Sequence, residues 1–346
     1  AGVAAACYYT PANWIEETAA RYPNLLFHVA ALFIAKDFII PTLVAWCFTG
    51  PHMSTRRKTM VATWEPAGKT GEIYASFEFD MTNAKKYIEQ KAKQGVHVTI
   101  TTLVVKAVGN ALKAVPSVNG RIVFGQYIPF DSVNVSCLVN IDNGKDLALC
   151  SIPNVDSSSL DDISAVIRRQ ADKLRKGKDE DFEKSKSSLS KMSVSSVQKL
   201  LPFVGFLASG LGLTIKALGV KRFLFGGACV TSVGMMGLDN VYVPFTPWAR
   251  IPIFVMVGVC KDRAVVENGQ VVIKPILNIT CTIDHRFLDG AQGAELAKEL
   301  RRSIEQPETY LEAHNAVKAE ASCFSTEIAP SPMGELSHVT AETNAF

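Results

Sequence analysis

The sequence predicts an α/β fold, an α+β sandwich in which helices pack on a sheet. Two patterns predict it: short stretches with an apolar residue at every second position, and longer ones with apolar residues three and four apart. The two kinds interleave from residue 71 to residue 310. With 48% hydrophobic residues in 346, the chain has enough apolar surface for a packed core.

At residues 71–80, Ile73, Ala75, Phe77 and Phe79 alternate with Tyr74, Ser76, Glu78 and Asp80, the period of a half-buried strand. A helix is expected next, capped by Thr82 or Asn83, with Tyr87 and Ile88 inward and Gly95 as its stop. After β-branched residues around His97, a buried helix is marked by Leu103, Val104, Ala107, Val108, Ala111 and Leu112 and halts before Pro116. Residues 121–128, 132–139 and 146–152 read as meander strands between Pro, Asp and Gly turns. Ser159 and Asp162 have the spacing of a capping box, opening a helix with Leu160, Ile163, Val166, Ile167 and Leu174 inward. The charge run 173–186 that follows reads as a solvated helix end or loop.

Residues 201–220 are apolar but carry Pro202, Gly205, Gly210, Gly212 and Gly219, which argues against one rigid helix. A packed helical hairpin or a lipid-touching loop fits this composition. Strands are expected at 227–232, 251–260 and 271–283, the last running into residues 284–290. A helix with Ala291, Ala294, Leu296, Ala297, Leu300 and Ile304 on its apolar face follows and ends at Pro307, and residues 325–346 read as a tail.

With 36 basic and 33 acidic residues, the net charge of +3 points to neither nucleic acid nor an anionic membrane. The eight cysteines form no CxxC pair, which argues against a zinc ribbon, a redox dithiol or a dense disulfide framework, and no metal is expected. Two apolar runs within residues 25–48 are broken by Lys36 and Asp37, too short for a spanning helix. They suit buried or partner-facing helices, or peripheral contact with a membrane surface.

Chemistry concentrates at Asp284-His285-Arg286-Phe287-Leu288-Asp289-Gly290. His285 arrives at a strand end, and Asp289 and Gly290 follow at a loop-to-helix junction. There a carboxylate can orient its neighbours and glycine permits a tight backbone approach. An imidazole of ordinary pKa near ~6.5 suits proton abstraction from a thiol near ~8.5. Cys281 shares a strand face with His285 and is an alternative nucleophile, although four strand residues separate them by roughly 13 Å.

This run resembles the His-x-x-x-Asp-Gly signature of the dihydrolipoyl acyltransferase catalytic domain of 2-oxoacid dehydrogenase complexes, and of chloramphenicol acetyltransferase. Upstream, Cys229-Val230-Thr231-Ser232-Val233-Gly234-Met235-Met236-Gly237 resembles the family's Thr-Ile-Ser-Asn-Leu-Gly-Met-Phe-Gly run. In register Thr231 takes the place of the oxyanion-binding serine, and Ser232 stands where the family often has Asn. Phe79-Asp80-Met81-Thr82 and Val115-Pro116-Ser117-Val118-Asn119 agree as well.

The resemblance covers about residues 55–312. It implies a chloramphenicol acetyltransferase-like fold, a mixed sheet flanked by helices, and a coenzyme A-dependent acyltransferase moving acyl groups between thioesters. His285 would be the general base, Thr231 or Ser232 the oxyanion donor, Asp289 an orienting group acting through an arginine, and Arg286, Gly234 and Gly290 structural. Coenzyme A would be a substrate, no lipoyl group is expected on this chain, and the acceptor would be either a dihydrolipoyl-type thiol, supplied by a separate lipoyl-bearing protein, or another thiol.

A homotrimer or larger cage is implied, with His285 of one subunit facing Thr231 or Ser232 of the next. The expected organisation is a hydrophobic helical extension over 1–54, a catalytic domain over 55–312 with an apolar insert near 195–222, and a tail over 313–346. The start at Ala1 fits a removed presequence, and the expected location is the mitochondrial matrix, at a membrane or free. The competing expectation is a structural scaffold subunit that docks through its two apolar segments.

Overall fold

The computed structural model describes residues 71–141, 146–190 and 194–311, with 31, 32 and 35 near the N-terminus. The expectations for the N-terminal extension and the C-terminal tail lie outside the described residues.

The chain runs β1 (Glu72–Asp80), α1 (Thr82–Lys93), α2 (Ile100–Ala114), β2 (Gly120–Val123), β3 (Gln126–Pro129), β4 (Val135–Ile141) and β5 (Asp146–Ile152). It continues with α3 (Leu160–Arg175), α4 (Glu180–Ser190), α5 (Val194–Gly205), β6 (Ala228–Ser232), β7 (Ile253–Glu267), β8 (Gln270–Asp284) and α6 (Gly290–Glu305). Six strands form one sheet in the order β1-β8-β7-β6-β4-β5. β6 runs parallel to both β4 and β7, while the β1–β8, β7–β8 and β4–β5 pairs are antiparallel, so the sheet is mixed. This is the mixed sheet flanked by helices that the resemblance implies.

Alternation along the strands separates two packed faces. Ala228, Val230, Val255, Val257, Ile279 and Cys281 join the main core with the buried side of α2, including Leu103, Val104 and Leu112. On the other face Cys229 and Phe254 pack with Ala249 and Ile251. The middle of β8 is buried on both faces, yet its second face carries Asn278, Thr280 and Thr282. Segment 239–243 crosses that face and satisfies them: the Thr280 hydroxyl donates to the Val241 carbonyl, and that of Thr282 to the Val243 carbonyl at 2.7 Å.

The capping box of α3 is present, with Ser159 accepting from the Asp162 amide at 3.1 Å. At α1 the cap differs from expectation. Thr82 is the first helical residue, and its amide and hydroxyl both donate to the Asp80 carboxylate, at 2.9 and 2.6 Å. The single strand expected over 121–128 is a hairpin, β2–β3, because Phe124 (φ 51°) and Gly125 (φ 72°) turn the chain in the left-handed region. The charge run folds partly as α4, beyond a turn at Gly177.

Residues 201–220 do not form one helix. α5 ends at Gly205 and a π turn spans Phe206–Gly210, where Pro202 and the glycines weaken regular hydrogen bonding. Among the described residues no helix is long and apolar enough to cross a membrane.

Candidate active site

His285 sits one residue beyond β8, in a turn, half-buried. Its backbone is held from two sides: the His285 amide donates to the Gly71 carbonyl at 2.7 Å, and the preceding Asp284 amide to the Pro252 carbonyl at 2.8 Å. Arg286 returns to Asp284 in a buried forked pair, Nη2 to Oδ2 at 2.7 Å and Nε to Oδ1 at 3.0 Å. The Arg286 amide also donates to Asp284 Oδ1 at 3.0 Å. The pair ties down both neighbours of the histidine.

His285 Nδ1 lies 2.7 Å from the Leu288 carbonyl. A carbonyl only accepts, so the contact places the proton on Nδ1 and the lone pair on Nε2. Neither the Leu288 carbonyl nor the Asp284 partner of Arg286 was foreseen from the sequence. Their signals were the acid two residues before an arginine and the short His-to-helix spacing.

Asp289 is the N-cap of α6: its carboxylate accepts from the Ala291 amide at 3.1 Å, and Gln292 reaches back to the Asp289 amide at 2.8 Å. These two bonds hold the helix start, and the buried forked arginine pair of this turn belongs to Asp284. At Gly290 a Cβ would meet nothing within 4 Å among the described residues. Gly234 is the position that needs glycine, because a Cβ would lie 2.5 Å from the Gly258 carbonyl oxygen. That approach seats the turn after β6 against β7.

Thr231 and Ser232 end β6 and point to opposite faces of the sheet. Ser232 lines a cavity of about 910 Å³ between the sheet and the helices α2 and α3, together with Thr101, Cys137 and Val257. Thr231 lies on the face of Cys229 and Phe254. One chain does not bring either hydroxyl to His285. Thr231 is level with Met256 and Met256 with Thr280, so His285 lies two strands across and five residues along, about 20 Å away.

Cys281 is 3% exposed, and burial pushes its thiol up to about 12. That opposes the thiolate a nucleophile needs and removes the Cys281 alternative. Among the described residues no group of three or more His, Cys, Asp or Glu side chains could hold a metal ion.

Known proteins resemble this chain in sequence and in fold. It is 26% identical over 210 residues to the dihydrolipoyllysine-residue acetyltransferase component of the pyruvate dehydrogenase complex of Rickettsia bellii, covering 61% of this chain and 40% of that protein. It is 26% identical over 268 residues to the succinyltransferase component of the 2-oxoglutarate dehydrogenase complex of Rickettsia typhi, covering 75% and 56%. The chain thus spans about half the length of these curated relatives.

The crystal structure of a probable dihydrolipoamide acetyltransferase from Listeria monocytogenes superposes with a TM-score of 0.52 at 20% identity, covering 76% of this chain and 98% of that one. The cubic core of the pyruvate dehydrogenase multienzyme complex gives 0.51 at 20% identity, covering 76% and 93%. These likenesses establish the fold.

The expected mitochondrial location is overturned. The relatives above and others like them come from Rickettsia, Rhizobium and Bartonella, bacteria without mitochondria. The model of the 2-oxoacid dehydrogenases acyltransferase (catalytic domain) family matches residues 49–205 and 216–312, well over half of the sequence, and the chain belongs to that family.

Proposed function

We propose that this chain is a coenzyme A-dependent acyltransferase that moves an acyl group between the thiol of coenzyme A and a dihydrolipoyl-type thiol, with His285 as general base. The observation that carries the proposal is the fixed tautomer. With Nδ1–H donating to the Leu288 carbonyl, Nε2 presents its lone pair to a thiol. The thiol gives its proton to Nε2 and adds to the thioester carbonyl. The tetrahedral intermediate then collapses, and His285 returns the proton to the departing thiol. A histidine held this way between two anchored neighbours favours an enzyme over a scaffold.

The oxyanion donor is assigned to Thr231, in register with the family's serine. Its distance of about 20 Å from His285 within one chain supports a site completed between copies, as in a homotrimer or a larger cage built of trimers. The acceptor is a dihydrolipoyl-type thiol, protein-borne or offered as free dihydrolipoamide.

The test is thioester exchange between a panel of acyl-coenzyme A compounds and dihydrolipoamide, with the oligomer verified by sedimentation. Wild-type protein is expected to turn over. His285→Ala should lose at least ~10²-fold, the lower end of what a general base supplies, and Thr231→Val ~10²–10³-fold, the worth of one oxyanion donor. Ser232→Ala should stay within a few fold. Wild-type activity that survives in His285→Ala would refute the mechanism.

A further inference from the structure

A second cavity, of about 380 Å³, lies between α6 and the sheet. Ile73 of β1 and Ile283 of β8 form part of its floor, and Gly293, Ala294 and Ala297 of α6 its roof. The space exists because these helix positions carry at most a methyl group where a leucine would fill it. Apart from the Asp289 side of the mouth, the lining is apolar, the kind of cavity that stays dry and takes apolar guests. It opens toward solvent at Gly290 and Ala294, both exposed.

The cavity and the base share one stretch of chain. Ile283 lies two residues before His285, a separation of roughly 7 Å along an extended chain. Leu288, whose carbonyl holds His285 Nδ1–H, is 1% exposed and forms a wall, and Asp289 and Gly290 stand at the mouth. A thioester with its carbonyl at His285 therefore has this apolar space within reach of its acyl chain. An acetyl group is too short to use it, and an acyl group ending in a carboxylate would have to desolvate a charge to enter.

We propose that this cavity is the acyl pocket, and that the acyl group is an apolar one, straight or branched, of roughly four to eight carbons, an estimate from cavity size and chain reach. The inference rests on the acyltransferase reading. It adds a substrate class that the acetyl- and succinyltransferase relatives do not suggest.

The experiment measures kcat/KM of the intact oligomer for acetyl-, butyryl-, isovaleryl-, hexanoyl- and succinyl-coenzyme A. Each buried methylene is worth roughly a threefold to fourfold gain, so hexanoyl should exceed acetyl by at least ~10-fold, with succinyl well below butyryl. Ala297→Leu, and independently Ala294→Leu, should cut the hexanoyl-to-acetyl ratio by at least ~10-fold. A flat wild-type profile, or a ratio that neither variant changes, would overturn the pocket.

Equilibrium binding supplies a readout that does not need turnover. Hexanoyl-coenzyme A should bind wild-type protein more tightly than coenzyme A does, and the advantage should vanish in either variant. Equal affinities in wild type overturn the pocket. A retained hexanoyl advantage without transfer of any acyl group overturns the catalytic reading and leaves the pocket standing.

Discussion

Replacing Arg286 with methionine removes the cation that faces the Asp284 carboxylate while leaving a side chain of similar reach. In the folded chain Asp284 is 3% and Arg286 7% exposed, so water cannot replace the lost partner. The three side-chain contacts to Asp284, of 2.7–3.1 Å, disappear, and the carboxylate keeps the amide of residue 286. Breaking a buried ion pair from one side costs about 3–5 kcal/mol, two to nearly four decades in the folded-to-unfolded ratio. Replacing both partners with apolar residues of similar volume should cost less, because neither charge of the pair is then left without the other.

The assay is urea unfolding at a fixed protomer concentration, since assembly itself adds stability. Arg286→Met should lower the transition midpoint strongly, and Asp284→Leu with Arg286→Met should recover part of the loss. His285 lies between the two, so both variants should also lose thioester exchange at urea concentrations where they remain folded. An Arg286→Met midpoint equivalent to less than 1 kcal/mol of change, or a double variant weaker than the single one, would refute the account of how the turn is held.

Two further outcomes follow from the same geometry. With its thiol near 12, Cys281 carries on the order of one thiolate in 10⁴–10⁵ molecules at neutral pH, so iodoacetamide should label it only after unfolding or in strong alkali; rapid native labelling at pH 7.5, read by peptide mass, would contradict its burial. Gly234→Ala sets a Cβ 2.5 Å from the Gly258 carbonyl oxygen and should cost about 1–3 kcal/mol with a displaced β6 end, whereas Gly290→Ala meets nothing and should stay within ~0.5 kcal/mol; urea midpoints that do not separate the two would count against that packing.

The sequence by itself determined the local order and the family likeness. The alternation of residues 73–80, the helical spacing of Leu103 to Leu112, and the Ser159–Asp162 cap each depend on contacts only a few residues apart. The run 284–290 carried the family likeness and the residue proposed as general base. What the sequence left open was decided by contacts distant along the chain. Lys106 sits within an apolar helix and would pass for a solvent-facing break, yet it is 2% exposed, because the carbonyls of Val155, Asp156 and Ser158 receive its ammonium at 3.0, 2.9 and 2.8 Å.

The first amide of α1 is satisfied by Asp80, which precedes the N-cap Met81, rather than by Thr82 or Asn83, and 121–128 broke into a hairpin because Phe124 accepts a left-handed conformation that propensity does not assign to it. The separation of Thr231 from His285 is likewise a property of strand order, β8-β7-β6, which no local pattern encodes. Periodicity sets which face a side chain takes, whereas sheet order and register set which side chains meet, and these depend on the energy of the assembled core rather than on neighbours in sequence.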